Sequence, residues 1–306
     1  VFPLFFSRKE LTGNKPGLSF ERRDERIAKG GTMDNGEMNR ELGEIHQKEN
    51  LSRIGKKILV MSGKGGVGKS TVAVNLVFGL ALQGKKVGIL DVDVHGPSVG
   101  KLMGIEGRKL GGPLSDHRPT PVKVIDNVYA LTMASLIETP DTPVIWRGPL
   151  KTGAIKQFLQ DIEWPELDYL IVDCPPGTGD EPLTVVQIMG GMDGSIIVTT
   201  PQDVALLDAR KTINFSKQMN VPVLGIVENM SGLICPHCGE MIPLFKEGGG
   251  EKAASDFNVD LLGKIPLDPA VVISGDEGRP FIYDYNKLPA AQRYEEIVVK
   301  IMEKLD

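Results

Sequence analysis

The sequence predicts an α/β fold: a mainly parallel sheet of seven or eight strands with helices covering both faces. Three observations predict it. From residue 57 onward, short apolar runs alternate with helical segments. Strands apolar on both sides belong to a sheet buried on both faces, and helical crossovers make neighbouring strands parallel. A glycine-rich loop joins the first apolar run to the first helical segment. Finally, 306 residues with 41% hydrophobic and 6% aromatic content suit one large domain carrying an arm.

Residues 1–32 form the arm. They are polar beyond Phe6, lack periodicity, and carry +3, leaving −8 for the rest of a chain whose net charge is −5. Such a segment is expected to be disordered. Lys29-Gly30-Gly31-Thr32 can be encoded by a purine-rich ribosome-binding sequence ahead of Met33. Met33 is therefore the expected start and 1–32 an upstream extension. A polar, Glu-rich lead-in helix and linker over 33–56 follows, and residues 57–306 form the main domain. The expected strands are 58–61, 87–90, 128–131, 169–172, 195–198, 223–227 and 261–265. Helices are expected at 69–83, 153–160, 182–189, 204–219 and 250–257, and 104–126 reads as a Gly/Pro loop. The last segment, 289–305, aligns Ile297, Val298, Ile301 and Leu305 on one helical face. A membrane-surface helix would be richer in Lys/Arg and bulky aromatics, so this one is expected to pack on the domain.

The glycine loop reads Gly63-Lys64-Gly65-Gly66-Val67-Gly68-Lys69-Ser70-Thr71. Strand, glycine loop and helix in that order make a P-loop rather than a merely flexible turn. Its glycines let backbone N–H groups surround a polyphosphate, and the helix N-terminus adds positive partial charge. Lys69 would reach the β- and γ-phosphates of ATP, and Ser70 would ligate Mg²⁺. A second lysine, Lys64, stands near the start of the loop. The fold class is accordingly that of a P-loop NTPase.

Ligands of open α/β sheets sit at the carboxyl ends of strands. Asp91 and Asp93 end the second strand at period two, so they share a side. One can hold the Mg²⁺ shell and the other can position the attacking water, although a turn capped by Asp reads the same way. Asp173 ends the fourth run and is followed by Cys174-Pro175-Pro176-Gly177-Thr178-Gly179-Asp180. That is a Walker B arrangement with a loop able to move when the γ-phosphate leaves. Asn229 is expected to end the strand 223–227 and offers an amide donor and acceptor to an adenine edge, and Pro266 can wall the base pocket.

Cys235-Pro236-His237-Cys238 lies within a loop spanning 230–247, flanked by Gly232 and Gly239. Two thiolates are half of a four-thiolate site. The site is either open or completed by a second chain, as a Zn²⁺ or a [4Fe–4S] site. A thioredoxin-like pair would open a helix near a βαβ unit, which this motif does not. Cys174 reads as a small buried residue. Three cysteines in a chain this long make no disulfide framework and point to a reducing cytoplasm. The negative charge disfavours nucleic acid, and no apolar run approaches the roughly 20 residues that span a bilayer.

Taken together, these residues resemble the Mrp/ApbC family, nucleotide-hydrolysing iron–sulfur cluster carriers within the deviant P-loop group of MinD, ParA and the nitrogenase iron protein. The resemblance covers roughly residues 50 to 283 and includes Trp146-Arg147-Gly148-Pro149, Glu228-Asn229-Met230-Ser231 and the run 263–269. It implies an ATPase that is a homodimer, in which Lys64 touches the partner's nucleotide. Lys69 would bind phosphates, Ser70 the Mg²⁺, Asp93 the water, Asp173 the Mg²⁺ shell and Asn229 adenine. Cys235 and Cys238 would hold a labile [4Fe–4S] cluster between subunits, destined for apo iron–sulfur proteins. The arm has no four-cysteine motif of the kind in some eukaryotic relatives, which fits a bacterial or archaeal carrier. The rival readings are a zinc-binding adaptor, a MinD- or ParA-like positioning ATPase and a nitrogenase-type reductase. The last would not place its cluster cysteines as a CxxC pair here.

Overall fold

In the computed structural model, residues 35–306 are described except 94–95, 113–117, 133–151, 154, 157–158, 160–161 and 236, and 35–42 by backbone alone. The expected extension with Met33, residues 146–149, His95 and Pro236 lie outside the described residues. Two compact units divide the chain, Val1–Leu42 and Gly43–Asp306. Of the first, only the opening turns of helix α1 (Asn35–Ser52) are described; the rest of the account concerns the second.

Strand β1 (Ile54–Met61) leads through the glycine loop into α2 (Lys69–Leu82), β2 (Val87–Asp91) and a short α3 (Val99–Leu102). Strands β3 (Val122–Ile125), β4 (Val128–Thr132) and β5 (Leu167–Asp173) follow. Next come α4 (Asp180–Ile188), β6 (Gly194–Thr199), α5 (Asp203–Gln218) and the long β7 (Val223–Ile234). The chain closes with β8 (Met241–Ile242), α6 (Gly249–Phe257), β9 (Leu261–Leu267), α7 (Pro269–Asp276), α8 (Phe281–Asp284) and α9 (Pro289–Leu305).

All seven expected strands are present, and among the described residues the sheet has nine, ordered β3-β4-β2-β5-β1-β6-β7-β8 with β9 also on β7. The two additional strands are the antiparallel ones, β3 on β4 and β8 on β7. The stretch 104–126 is therefore not wholly a loop. Its edge strand is only four residues long and sits among Gly, Pro and charged residues, which hides it. Strand β1 lies between β5 and β6, both parallel to it. The crossover after β1 runs past β5 to β2, whereas the one after β5 passes back over β1 to β6, and this reversal opens the crevice where the glycine loop sits.

Two apolar layers sandwich the sheet. On one face α2 packs through Val72, Leu76 and Phe78. Beside α2, and packed on β9, lies α9, whose Tyr294, Ile297, Val298 and Ile301 are buried, the three aliphatic ones each worth about 1.5–3 kcal/mol over exposure. Gly79 permits this approach: a Cβ there would lie 2.7 Å from Val298 Cγ2. The expectation that the last helix packs on the domain is met. On the other face, Trp164, Ile155 and Leu159 join residues of α4, α5 and α6. Asn50 of α1 anchors there, donating from Nδ2 to the Ile162 carbonyl at 2.6 Å. Among the described residues, no helix is long and apolar enough to cross a membrane.

Candidate functional site

The glycine loop bends where its glycines allow. Gly66 and Gly68 have φ of 78° and 79°, conformations that L side chains rarely adopt. Gly68 caps α2, and the Val72 N–H donates to its carbonyl at 2.9 Å. Gly63 faces the backbone of α5, where a Cβ would lie 2.3 Å from the Asp208 carbonyl carbon. Lys64 is half-buried, its Nζ 3.5 Å from Gln202 Oε1. Gly65 and Gly66 are exposed, Val67 is buried, and Ser70 and Thr71 are half-buried at the start of α2.

Parallel register brings the carboxylates together. Asp91 at the end of β2 stands opposite Asp173 at the end of β5. Lys69, with a side chain only 7% exposed, is ion-paired to Asp173 Oδ1, and its Nζ lies 3.2 Å from Ser70 Oγ. Asp173 Oδ2 is buried without a hydrogen-bond partner among the described residues. Asp91 accepts from Thr132 Oγ1 at 3.1 Å and from the Asp93 N–H at 3.0 Å. Asp93 is half-buried, accepts from the Gly96 N–H at 3.2 Å, and lies close enough to push the Asp173 carboxyl up. The sequence-predicted Lys69, Ser70, Asp91, Asp93 and Asp173 thus share one end of the sheet. Buried oxygens of this kind suit a hard cation such as Mg²⁺.

Burial, and next the neighbouring Asp173, push Asp91 up to about 7 from an ordinary 3.8. Asp173 is also raised by burial, against the pull of Lys69. A folded chain that holds the Asp91 proton more tightly than the unfolded chain gains stability from it at acid pH. That contribution is complete below 3.8 and is lost as pH rises through about 7. The ligand-free melting temperature of the wild type should therefore fall between about pH 4 and about pH 7 relative to Asp91→Asn, which cannot titrate, and should level off above that. Parallel melting profiles for the two proteins would contradict this.

A cavity of about 490 Å³ opens beside the loop. Gly68, Thr71, Asn229 and Pro266 line it. So do Lys101, Leu102, Val271, Gly275 and Tyr294, which sequence reasoning missed. Helix α7, which supplies part of this wall, did carry a signal: Asp268 caps it, accepting from the Ala270 N–H at 2.9 Å, with Pro269 in its first turn. Asn229 Nδ2 donates to the Val67 carbonyl at 2.9 Å, leaving Oδ1 as the amide's acceptor.

Asn229 does not end its strand. β7 continues to Ile234, and the expected loop 230–247 is in part a hairpin in which Leu233 and Ile234 pair with Ile242 and Met241. At its tip the Cys235 N–H donates to the Glu240 carbonyl and the Gly239 N–H to the Cys235 carbonyl, both at 2.9 Å. Cys235 is half-buried, Cys238 is exposed, and both are free thiols. The backbone N–H groups of Cys238 and His237 pull the Cys235 thiol below its ordinary range, favouring the thiolate that binds metal. Among the described residues, no three His, Cys, Asp or Glu converge as a metal site. Cys174 is fully buried and its thiol is pushed far up by burial, so it is a packing residue, as expected.

Comparison with known proteins agrees with this geometry. A family model described as ParA, NUBPL iron-transfer P-loop NTPase, matches residues 53–302. The chain belongs to this family. It is 48% identical over 260 residues to the iron-sulfur cluster carrier protein of Methanocaldococcus jannaschii, covering 85% of this chain and 88% of the relative. Among solved structures it resembles the nucleotide-binding protein of Archaeoglobus fulgidus in complex with ADP, at TM-score 0.69 and 41% identity, over 79% of this chain and 93% of that one. The cell division ATPase MinD of Pyrococcus furiosus aligns at TM-score 0.59 and 26% identity, over 81% and 99%. Membership in the iron-transfer P-loop NTPases accounts for the loop, the paired carboxylates and the parallel sheet.

Proposed function

We propose that the protein is a homodimer that binds and slowly hydrolyses ATP with Mg²⁺. Hydrolysis governs a labile [4Fe–4S] cluster, held by Cys235 and Cys238 of both copies, which is handed to apoproteins. One observation carries this reading: a single strand, β7, bears Asn229 in the nucleotide cavity and runs on into the turn that exposes the two thiols. A nucleotide-dependent change at one end has a short, hydrogen-bonded path to the other.

When bound, Mg²⁺ supplies charge that offsets the β- and γ-phosphates. Ser70, Asp91 and Asp173 would hold it. Lys69 exchanges its partner, leaving Asp173 for the phosphates, so neither buried charge goes unpaired. Asp93 orients the attacking water. Lys64 reaches across the dimer to the partner's nucleotide. Mixing Lys64→Ala with Asp93→Ala subunits tests that last role. Each variant alone should be nearly inactive, while a mixed dimer should regain one complete site and about half the wild-type rate. No recovery in verified mixed dimers would place Lys64 in its own subunit's site.

The function itself is tested by anaerobic loading with iron and sulfide, followed by incubation with an apo-acceptor that needs a [4Fe–4S] cluster. The acceptor should gain its cluster from the protein. A single tightly held zinc per dimer and no transfer would replace the carrier with a zinc-binding adaptor.

A further inference from the structure

Strand β7 carries a buried carboxylate that the chemistry above does not use. Glu228 precedes Asn229 and is fully buried. Its Oε1 accepts from Ser231 Oγ at 2.6 Å, and its Oε2 accepts from the Gly250 N–H in the first turn of α6. Ser231 is where the chain leaves the nucleotide wall toward the cysteines. Gly250 is where it has returned. One side chain thus joins both ends of the segment that bears Cys235 and Cys238.

The surroundings hold this clasp tightly. A Cβ at Gly250 would lie 2.9 Å from Glu228 Oε2 and 3.0 Å from its Cβ. A Cβ at Gly249 would lie 2.4 Å from the Pro201 carbonyl oxygen, and Pro201 adjoins Gln202, the neighbour of Lys64. On the strand side, Asn229 Nδ2 presses on the glycine loop, where a Cβ on Gly68 would come within 2.3 Å of it. The positive end of α6 favours an anionic acceptor at this place.

We propose that Glu228 is a positioning residue that couples the nucleotide pocket to the cysteine hairpin. It makes the hairpin base rigid, so that a displacement of Asn229 on nucleotide binding reaches Cys235 and Cys238 instead of being absorbed between residues 231 and 249. The proposal rests on the function proposed above, but its test does not need a cluster.

The readout is the rate at which a thiol reagent modifies Cys235 and Cys238 in the reduced, cluster-free full chain, with and without Mg-ATP. Cys174 is buried and stays silent. In the wild type, saturating nucleotide should change the rate about fivefold or more, the lower end of ordinary coupling between sites. Glu228→Ala should still bind nucleotide, yet its labelling rate should no longer respond. Glu228→Gln keeps an acceptor for Gly250 and a partner for the Ser231 hydroxyl, so it should retain the response. The proposal is overturned by a wild-type rate indifferent to nucleotide, by a full response in Glu228→Ala, or by equal loss in the Ala and Gln variants. Should Glu228→Ala not fold, the half-buried Ser231→Ala decides: a clearly reduced response supports the clasp and an unchanged one removes it. A thiol response without cluster loading would sink the carrier reading and leave the coupling standing; cluster transfer without a thiol response would do the reverse.

Discussion

Lys69→Ala should abolish ATP hydrolysis, with kcat falling by about 10²–10³-fold or more, as expected for loss of a preorganised charge at a transferring phosphoryl group. The same substitution disturbs the ligand-free chain, because Lys69 is the ion-pair partner of the fully buried Asp173. Removing one member of a buried pair costs about 3–5 kcal/mol when the other stays charged. Asp173 has an alternative: burial already raises its pKa, and without Lys69 it takes up a proton. The variant should therefore fold, melt at a lower temperature than wild type, and lose most of that deficit at acid pH. Adding Asp173→Asn separates the two effects. The double variant should recover stability and remain inactive. Phosphate release and thermal melting read both quantities. Hydrolysis within about tenfold of wild type in Lys69→Ala would remove Lys69 from the transition state.

Residues close in sequence made the candidate phosphate site legible. The glycine loop, its lysine and its hydroxyl occupy one continuous stretch between a strand and a helix, and the structure places them as the pattern requires. The central strands were legible because β1, β2, β5 and β6 each contain a short, fully buried and nearly apolar run, as strands covered on both faces must. Their observed ends extend further than the apolar runs, since Asp91, Thr132 and Asp173 are polar yet still hydrogen-bonded in the sheet.

Strand β7 shows where this reading stops working. Its apolar run ends at Val227, but the strand continues through Glu228 and Asn229, both buried. Polar residues inside a strand look like the start of a loop unless their partners are known. Here the partners are Ser231, Gly250 and the Val67 carbonyl, two of them distant in sequence. The cavity beside the glycine loop was only partly legible for the same reason. Its far wall comes from α3, α7 and α9, and nothing local in Lys101, Val271 or Tyr294 marks them as neighbours.

Cys235→Ser and Cys238→Ser should each eliminate the cluster while leaving nucleotide binding intact. The wild type, reconstituted anaerobically, should carry about four iron and four sulfide per dimer, with broad absorbance at the blue end of the visible spectrum. Serine is a poor replacement because a hard hydroxyl does not substitute for a soft thiolate. The symmetry of a dimer doubles the damage, since one substitution per chain removes two of four ligands. The two positions differ in detail. Cys235 is half-buried and its thiol is lowered by the N–H groups of Cys238 and His237, whereas Cys238 is exposed. Loading at reduced pH should therefore depend on the geometry at Cys235, because a thiol already favoured as thiolate needs to release less proton to bind metal. Cys174→Ser is the control: it is buried in the apolar layer with Val172 and Val185, so the cluster should persist even where stability falls. Nucleotide affinity measured on the same preparations checks that the turn and the glycine loop are separable sites. Retention of four iron per dimer in Cys238→Ser would show that the cluster is held elsewhere, and the half-site on each β7 hairpin would lose its assignment.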